Sequence, residues 1–325
     1  MGKEEKRKGL VITERDIAIF ESLSIARFLT AEAIEWLHYP GWKARYAAMQ
    51  GNEHDYAVTG ALYSRLKRLR GIKPSLLYRI IRPVALSYSR FSRDDDVYCL
   101  APGGAHLLAR AGKMAIEEIW TERLRTRSAQ TLAHSALIGK FYAAIRARLE
   151  EAGYELHAWA GDHLISKDYD SVSLIGKRNP SRKDGLWPVA PDAAFFVGQG
   201  EQARLFFVEI DRGRPIATWR EKVKTYEAYR RGQKLKARYH VENFVVLVAT
   251  TSEAQRRKML QATADELQKV NKTYCFTLFD NLHPTKIGQG WKRLETVEAG
   301  PLRMVVDRLH TTWKITTADY TLIQG

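Results

Sequence analysis

The stretch PDAAFFVGQGEQARLFFVEIDRGRP, residues 191–215, reads as two apolar strands joined by a Gly-Gln-Gly-Glu turn. Its three carboxylates, Asp192, Glu209 and Asp211, stand at the ends of these strands. Side chains two positions apart on a strand share a face, so Glu209 and Asp211 are predicted to project to the same side. An antiparallel hairpin would place the start of the first strand beside the end of the second. The pattern therefore predicts that the three carboxylates converge.

Converging carboxylates are typical ligands of hard divalent cations, so Asp192, Glu209 and Asp211 are candidate ligands of Mg²⁺ or Mn²⁺. Such an ion would polarise a scissile phosphate and activate a water molecule. Each residue also has a structural interpretation that stays open. Asp192 could belong to a turn that leads into the strand, and Asp211 could cap the following helix or pair with a nearby arginine.

The segments around this hairpin predict an α/β domain with one mixed sheet flanked by helices. The predicted order is a helix at 128–152, the strand YELHAWA, a polar excursion at 161–187, the two strands above, a helix at 215–231, the strand NFVVLVATT, a helix at 252–270 and the strand YCFTLF. The sequence contains no Gly-rich phosphate loop, no His-x-His pair and no GxSxG elbow. These absences argue against Rossmann and P-loop proteins, histidine-pair replication initiators and serine hydrolases.

The amino-terminal third predicts two short capped helices, a third helix from about Val58 to Arg70, and then two β segments. That order is typical of a winged helix-turn-helix. Residues 56–93 contain no acidic side chain, so the basic residues form a patch; a basic face that only maintains solubility is the alternative. The candidate DNA contacts are Arg65, Lys67, Arg68 and Arg70 on the helix and Arg79, Arg82 and Arg90 in the wing. Arg65 and Arg68 are the first candidates among them.

The overall composition fits a DNA-binding protein. The net charge of +15 favours polyanionic partners, among which composition alone does not distinguish DNA, RNA and anionic lipid. The two cysteines, Cys99 and Cys275, form neither a disulfide framework nor a zinc motif. The chain carries no signal-peptide pattern and no apolar run long enough to span a membrane, so we expect a cytoplasmic protein without a membrane partner.

The spacing of Pro191-Asp192, sixteen residues and then Glu-Ile-Asp resembles the core of the PD-(D/E)XK nuclease superfamily. More specifically, residues from about 10 to 250 resemble the replication-relaxation family of plasmid and mobile-element proteins. The segments that carry this resemblance are LVITERDIAIFESL, FLTAEAIEWL, YSRLKRLR, VYCLAPGGAHLL, TLAHSALIGKFYAAI, PDAAFFV, FFVEIDRG and WREKVKTYEAY. The resemblance implies a winged-helix domain at 1–112, a linking helical region at 113–130 and a restriction-endonuclease-like domain at 131–325.

The same resemblance implies a protein that acts in plasmid replication or conjugative mobilisation and nicks duplex DNA, such as a plasmid origin, at a metal site. One departure is that Asp211 stands where the superfamily has a catalytic lysine; the superfamily also takes this lysine from the following helix, where Lys222 is the candidate. The alternative is a non-catalytic DNA-binding replication accessory or transcriptional regulator with a degenerate nuclease fold. A homodimer and replication or mobilisation proteins stay open as partners.

Overall fold

The computed structural model describes residues 10–48, 58–80, 96–119, 128–199, 202–267, 273–305 and 308–320. The chain divides into two compact units, Met1–Gly139 and Lys140–Gly325. The division falls inside one long helix, later in the chain than the predicted start of the second domain at residue 131.

The first unit consists of helices packed with a three-stranded antiparallel sheet in the order β1-β3-β2. This is the arrangement of a winged helix-turn-helix, as predicted. Its elements are α1 (Glu14–Ala26), β1 (Leu29–Thr30), α2 (Ala31–His38), α3 (Trp42–Ala48), α4 (Gly60–Arg70), β2 (Leu77–Ile80), β3 (Val97–Leu100) and α5 (Pro102–Arg110). The third predicted helix is α4, and the short helix α3 that precedes it was not predicted.

Side-chain caps define the starts of the first two helices, as the sequence predicts. Thr13 and Asp16 form a capping box at α1, in which the Thr13 hydroxyl accepts from the Asp16 N–H at 3.3 Å and Asp16 accepts from the Thr13 N–H at 2.7 Å. The Thr30 hydroxyl accepts from the Ala33 N–H at 3.1 Å at the start of α2. Leu62, Leu66 and Leu69 form the buried stripe of α4. Its other residues are therefore turned outward or toward the edges of the unit.

The long helix α6 (Ala129–Glu151) begins in the first unit, where it packs closely on the chain before β1. A side chain at Gly139 would place its Cβ 1.8 Å from the Phe28 carbonyl oxygen. Glycine is thus required at this crossing because only a residue without a Cβ lets the two backbones approach so closely.

The second unit is built on a seven-stranded sheet in the order β12-β11-β10-β9-β8-β7-β4. Its elements are the rest of α6, β4 (Glu155–Gly161), α7 (Asp162–Ile165), β5 (Asp170–Val172), β6 (Trp187–Val189), β7 (Ala193–Gln199), β8 (Gln202–Asp211), α8 (Ile216–Arg231), α9 (Gln233–Tyr239), β9 (Phe244–Thr250), α10 (Glu253–Leu267), β10 (Tyr274–Leu278), β11 (Trp291–Val305) and β12 (Arg308–Tyr320). The last two strands, β11 and β12, form an antiparallel hairpin that lies beyond the predicted elements. β5 and β6 form a separate two-stranded sheet inside the predicted polar excursion.

The strand connections reproduce the predicted nuclease-like core. β4, β7 and β8 form an antiparallel meander, and α8 then crosses over so that β9 pairs parallel to β8. Helix α6, this meander, α8 and β9 are the helix, three strands, helix and strand that the resemblance implies. The fold class is therefore α/β, with a winged helix-turn-helix followed by a restriction-endonuclease-like domain.

Alternate residues of β8 fill two different cores. Leu205 and Phe207 are buried with Trp219 and Val223 of α8. Phe206 faces the other way and stacks on Phe195 with ring centroids 5.2 Å apart. Because Glu209 and Asp211 have the same parity as Phe207, the strand directs both carboxylates to the α8 side of the sheet. None of the helices in the described part of the chain is long and apolar enough to cross a membrane.

Candidate active site

The register of the β7–β8 hairpin brings Asp192 beside Glu209. Ala193 pairs with Val208, so Asp192 lies at the position opposite Glu209. The Asp192 N–H donates to the Val208 carbonyl at 2.9 Å, and the Ile210 N–H donates to Asp192 Oδ2 at 2.7 Å. Two backbone contacts with β8 thus fix Asp192 at the end of the hairpin.

Glu209 is held from the neighbouring helix α8. Its side chain is buried, the Lys222 ammonium donates to Oε2, and the Tyr226 hydroxyl donates to Oε1. Lys222 and Tyr226 are four residues apart and so lie on one face of α8. The lysine predicted to replace the missing strand lysine therefore does reach the carboxylate on the strand.

Burial and neighbouring charge both act on this pair. Burial raises the pKa of Glu209 above its ordinary value, and the negative charge of Asp192 adds to the rise, while Lys222 opposes it. Burial lowers the pKa of Lys222, but attraction to Glu209 and Asp192 outweighs it, so the net shift of that pKa is upward. Lys222 is accordingly a cation, and both carboxylates attract its charge.

Burial and the nearby Glu209 carboxylate raise the pKa of Tyr226 well above its ordinary value. The phenol therefore stays protonated and acts as a donor. Tyr226 is not among the residues predicted for the site; its position four residues after Lys222, on the same face of α8, is the signal in the sequence that points to it.

Asp211 has a different environment from the other two carboxylates. Its Oδ1 accepts from the Arg214 N–H at 3.1 Å, and its Oδ2 accepts from the Gly213 N–H at 3.3 Å. Oδ2 also accepts from the Thr250 hydroxyl and the Gln255 amide, both at 3.0 Å. Asp211 therefore ties the turn after β8 to the end of β9 and the start of α10.

The three carboxylates do not form one cluster. Among the described residues, no group of three or more histidine, cysteine, aspartate or glutamate side chains is arranged to hold a metal ion. Asp192 and Glu209 are close enough to shift a pKa, whereas the contacts of Asp211 point to the adjoining turn. The structure thus brings Asp192, Glu209 and Lys222 together, whereas the hydrogen bonds of Asp211 are with the adjoining turn, Thr250 and Gln255.

Some of the predicted DNA contacts on α4 are exposed, and one is engaged in an ion pair within the first unit. Lys67 and Arg68 are exposed on α4 and Arg70 is partly buried. Arg65 instead forms an ion pair with the buried Asp16, with Nε 2.8 Å from Oδ1, and donates to the Val11 carbonyl at 2.7 Å. Burial raises the pKa of Asp16, but hydrogen bonds from Arg65 and Thr13 outweigh it and the net shift is downward. Arg65 thus packs against its own domain.

The wing contacts are only partly described. Arg79 on β2 is exposed and pairs with Asp96, its Nε lying 2.5 Å from Oδ2. Arg82 and Arg90 lie outside the described residues.

Comparison with known proteins identifies the family of the chain. The family model described as "Replication-relaxation" matches residues 20–245, well over half of the chain. No curated protein matches. Among solved structures, the chain is similar to restriction endonuclease FokI, with 14% sequence identity and a TM-score of 0.24, over 84% of this chain and 43% of that chain. The chain therefore spans less than half the length of that protein. On the family match, which covers both the winged helix-turn-helix and the core of the second unit, the chain belongs to the replication-relaxation family.

Proposed function

We propose that this protein binds duplex DNA of a plasmid or other mobile element and nicks it with a divalent cation held by Asp192 and Glu209. The observation that carries the proposal is the meeting of two carboxylates from adjacent strand ends with the ammonium of Lys222 from α8. A structural ion pair needs only one acid and one base. Here a second carboxylate, Asp192, lies beside the Glu209–Lys222 pair and raises the pKa of Glu209, which is typical of a functional site.

The donor set fits Mg²⁺ or Mn²⁺. Both cations prefer oxygen ligands, and each Glu209 oxygen accepts one hydrogen bond, from Lys222 or from Tyr226. A carboxylate oxygen has two lone-pair positions, so Glu209 retains acceptor capacity for a cation. When bound, the cation would polarise the scissile phosphate and lower the pKa of a water molecule. Added positive charge would also relieve the repulsion between Asp192 and Glu209.

The protein's own residues have distinct roles in this proposal. The Lys222 side chain is partly exposed, and in this proposal its ammonium, which contacts Glu209, would stabilise the negative charge that develops on the phosphate. Tyr226 holds the Glu209 carboxylate in place from the buried side. Asp211, a predicted metal ligand, is assigned in this proposal to positioning instead, because it accepts from two donors in the turn after β8 and from Thr250 and Gln255.

DNA binding is assigned to the first unit. In a winged helix-turn-helix the third helix of the motif enters the major groove. The helix α4 exposes Lys67 and Arg68 on its outer side, and Arg79 is exposed on β2. The net charge of +15 supports a phosphate-rich partner. Cytoplasmic location, a homodimer and replication or mobilisation partners stay predictions from the sequence.

The second candidate function is a DNA-binding replication accessory or regulator that does not cleave. One observation favours it: both Glu209 oxygens already have donors, Lys222 and Tyr226, which is also the pattern of a satisfied structural pair. In that case Asp192, Glu209 and Lys222 stabilise the second unit, which would contribute contacts other than catalysis.

Incubation of the full-length protein with supercoiled plasmid DNA from the host of the mobile element tests the proposal. With Mg²⁺ or Mn²⁺ we expect open circles to form, and with a chelator we expect none. Salt-sensitive DNA binding without conversion under either metal would favour the second candidate.

A further inference from the structure

The polar excursion between β4 and β7 ends in an ordered loop, residues 173–186, which we call the tip loop. Its base is the β5–β6 hairpin, in which Asp170 pairs with Val189 and Val172 pairs with Trp187. Since β6 ends three residues before Asp192, the base of the hairpin is joined by a short segment to the candidate active site.

Helices α8 and α9 hold the base of the excursion. The Tyr229 hydroxyl donates to Asp170 at 2.5 Å, and the Lys234 ammonium donates to the Ser171 carbonyl at 2.7 Å. Arg238 pairs with Asp168, with Nη2 2.9 Å from Oδ2. The excursion is therefore fixed to the helix that carries Lys222.

The tip loop carries a fully exposed isoleucine. The Lys177 N–H donates to the Leu174 carbonyl at 3.1 Å and closes a turn whose central residues are Ile175 and Gly176. Leu174 is 8% exposed and anchors this turn, whereas Ile175 is 103% exposed. The turn itself cannot bury Ile175, so this side chain leaves water only when a binding partner covers it.

A hydrogen bond within the tip loop holds the Arg178 side chain. The Arg178 Nη2 donates to the Lys183 carbonyl at 2.7 Å, and a Cβ at Gly185 would lie 2.4 Å from Arg178 Cγ. Gly185 is therefore required for Arg178 to lie across the loop. The Asn179 N–H donates to the Gly185 carbonyl at 2.9 Å, which joins the two sides of the loop.

The charge of the tip loop is strongly positive. It contains four basic residues and one acid, Asp184, which pairs with Arg182 at 2.6 Å. Lys177, Arg178 and Lys183 are exposed and form no ion pair with an acid in the described ranges. Basic side chains neutralise phosphates, and an exposed apolar side chain can contact bases, so a loop that carries three exposed cations and one exposed isoleucine suits duplex DNA.

We propose that the tip loop docks on duplex DNA next to the candidate active site, with Ile175 inserted against the bases and Lys177, Arg178 and Lys183 on the flanking phosphates. Apolar side chains inserted between base steps are a known way to bend a duplex. The proposal rests on the proposed function, because DNA is its partner. It adds a second contact, in the nuclease-like unit, that would place the strand at Asp192 and Glu209.

The first part of the test measures affinity. The anisotropy of a fluorescent duplex is titrated with full-length wild-type protein and with the Ile175→Ala variant at several salt concentrations. We expect Ile175→Ala to weaken binding about tenfold with an unchanged salt dependence, because it removes apolar contact and no charge. Leu164→Ala, which shortens an exposed apolar side chain elsewhere in the same unit, is the matched control and should bind as the wild type does.

Charge variants form the second part. The double variant Lys177→Gln/Lys183→Gln should weaken binding and lower the salt slope by about 2, since each phosphate contact contributes about 0.9. Lys258→Gln, an exposed lysine on α10, should leave the slope unchanged.

Site-specific labelling reports contact directly. Cys99 and Cys275 are 1% and 0% exposed, so a polarity-sensitive dye added to an Ile175→Cys variant labels the tip selectively. Addition of duplex DNA should shift the emission of the dye at position 175. The emission of the same dye on a Leu164→Cys variant should not change.

The outcomes separate this inference from the proposed function. Wild-type protein that binds DNA while Ile175→Ala and the lysine variants bind equally well, with no dye response, would overturn the docking role of the tip loop alone. Wild-type protein that binds no duplex would overturn the proposed function as well, and the tip loop would then need a protein partner.

Discussion

Lys222 donates to Glu209 from the helix that follows the strand, and not from the strand position that Asp211 occupies. The ammonium thus reaches a buried carboxylate across the turn at residues 212–215, while Asp211 holds that turn in place. Asp211 thus occupies the position of the strand lysine and supports the turn, while Lys222 of α8 supplies a lysine to the site.

The stability of single and double variants shows whether the Lys222–Glu209 pair contributes to the free energy of unfolding. Lys222→Met should reduce the free energy of unfolding by about 3 kcal/mol, because a buried carboxylate loses its cation. Glu209→Gln/Lys222→Met should recover most of that loss, since neither charge is then buried. Urea unfolding of the wild type, both single variants and the double variant measures this cycle. A double variant no more stable than Lys222→Met would indicate a structural pair.

The pH dependence of stability follows from the upward pKa shift of Glu209. The folded protein binds more protons than the unfolded chain between the ordinary pKa of 4.5 and the higher folded pKa of Glu209. The free energy of unfolding contributed by this group therefore falls as pH rises through that window. Lys222→Met should widen the window and steepen the fall, and Glu209→Gln should remove the contribution. Unfolding measured from about pH 4 to about pH 8 tests this, and equal slopes in all three proteins would contradict it.

Asp211→Ala should destabilise the protein by about 2 kcal/mol, because donors at Gly213, Arg214, Thr250 and Gln255 lose their acceptor. Asp211→Asn, which retains an acceptor oxygen, should lose less. Both variants should still bind Mn²⁺ in calorimetry if Asp192 and Glu209 are the ligands. Loss of Mn²⁺ binding in a fully stable Asp211→Asn protein would return Asp211 to the metal site.

The basic residues of α4 should differ in their effects. Lys67→Gln/Arg68→Gln should lower the salt slope of DNA binding by about 2 and leave the melting temperature unchanged. Arg65→Ala should instead cost about 3 kcal/mol of stability, because Asp16 is 1% exposed and would lose its partner. Anisotropy and thermal unfolding separate the two. A normal melting temperature with weakened DNA binding in Arg65→Ala would place Arg65 in the interface.

Local pattern was sufficient to predict the hairpin at the site. The two-residue period of FFVEID and the glycine-rich turn determine which side chains share a face and which strand ends meet, and the register of Ala193 with Val208 confirms both. The prediction of Lys222 came from the resemblance, which implies that a lysine of the following helix can replace the strand lysine.

The roles that sequence could not predict depend on distant partners. Asp211 is distinguished from Glu209 by Thr250 and Gln255, which lie on other elements about forty residues further along. Arg65 was predicted to face DNA because charged helix residues usually face outward, yet Asp16 from α1 binds it. Neither pairing has a local signature, because both depend on how separate elements pack.

The measurement that tests the account most directly compares two lysines of α8. Lys222 contacts Glu209, whereas Lys224 lies 3.0 Å from Glu266 in a separate ion pair. Full-length wild-type, Lys222→Met and Lys224→Met proteins are incubated with supercoiled host plasmid and Mn²⁺, and their folding is checked by circular dichroism. We predict that the wild type and Lys224→Met form open circles and that folded Lys222→Met slows conversion by at least about 100-fold. Conversion at the wild-type rate by Lys222→Met, or no conversion by any of the three proteins, would contradict a nicking site at Asp192, Glu209 and Lys222.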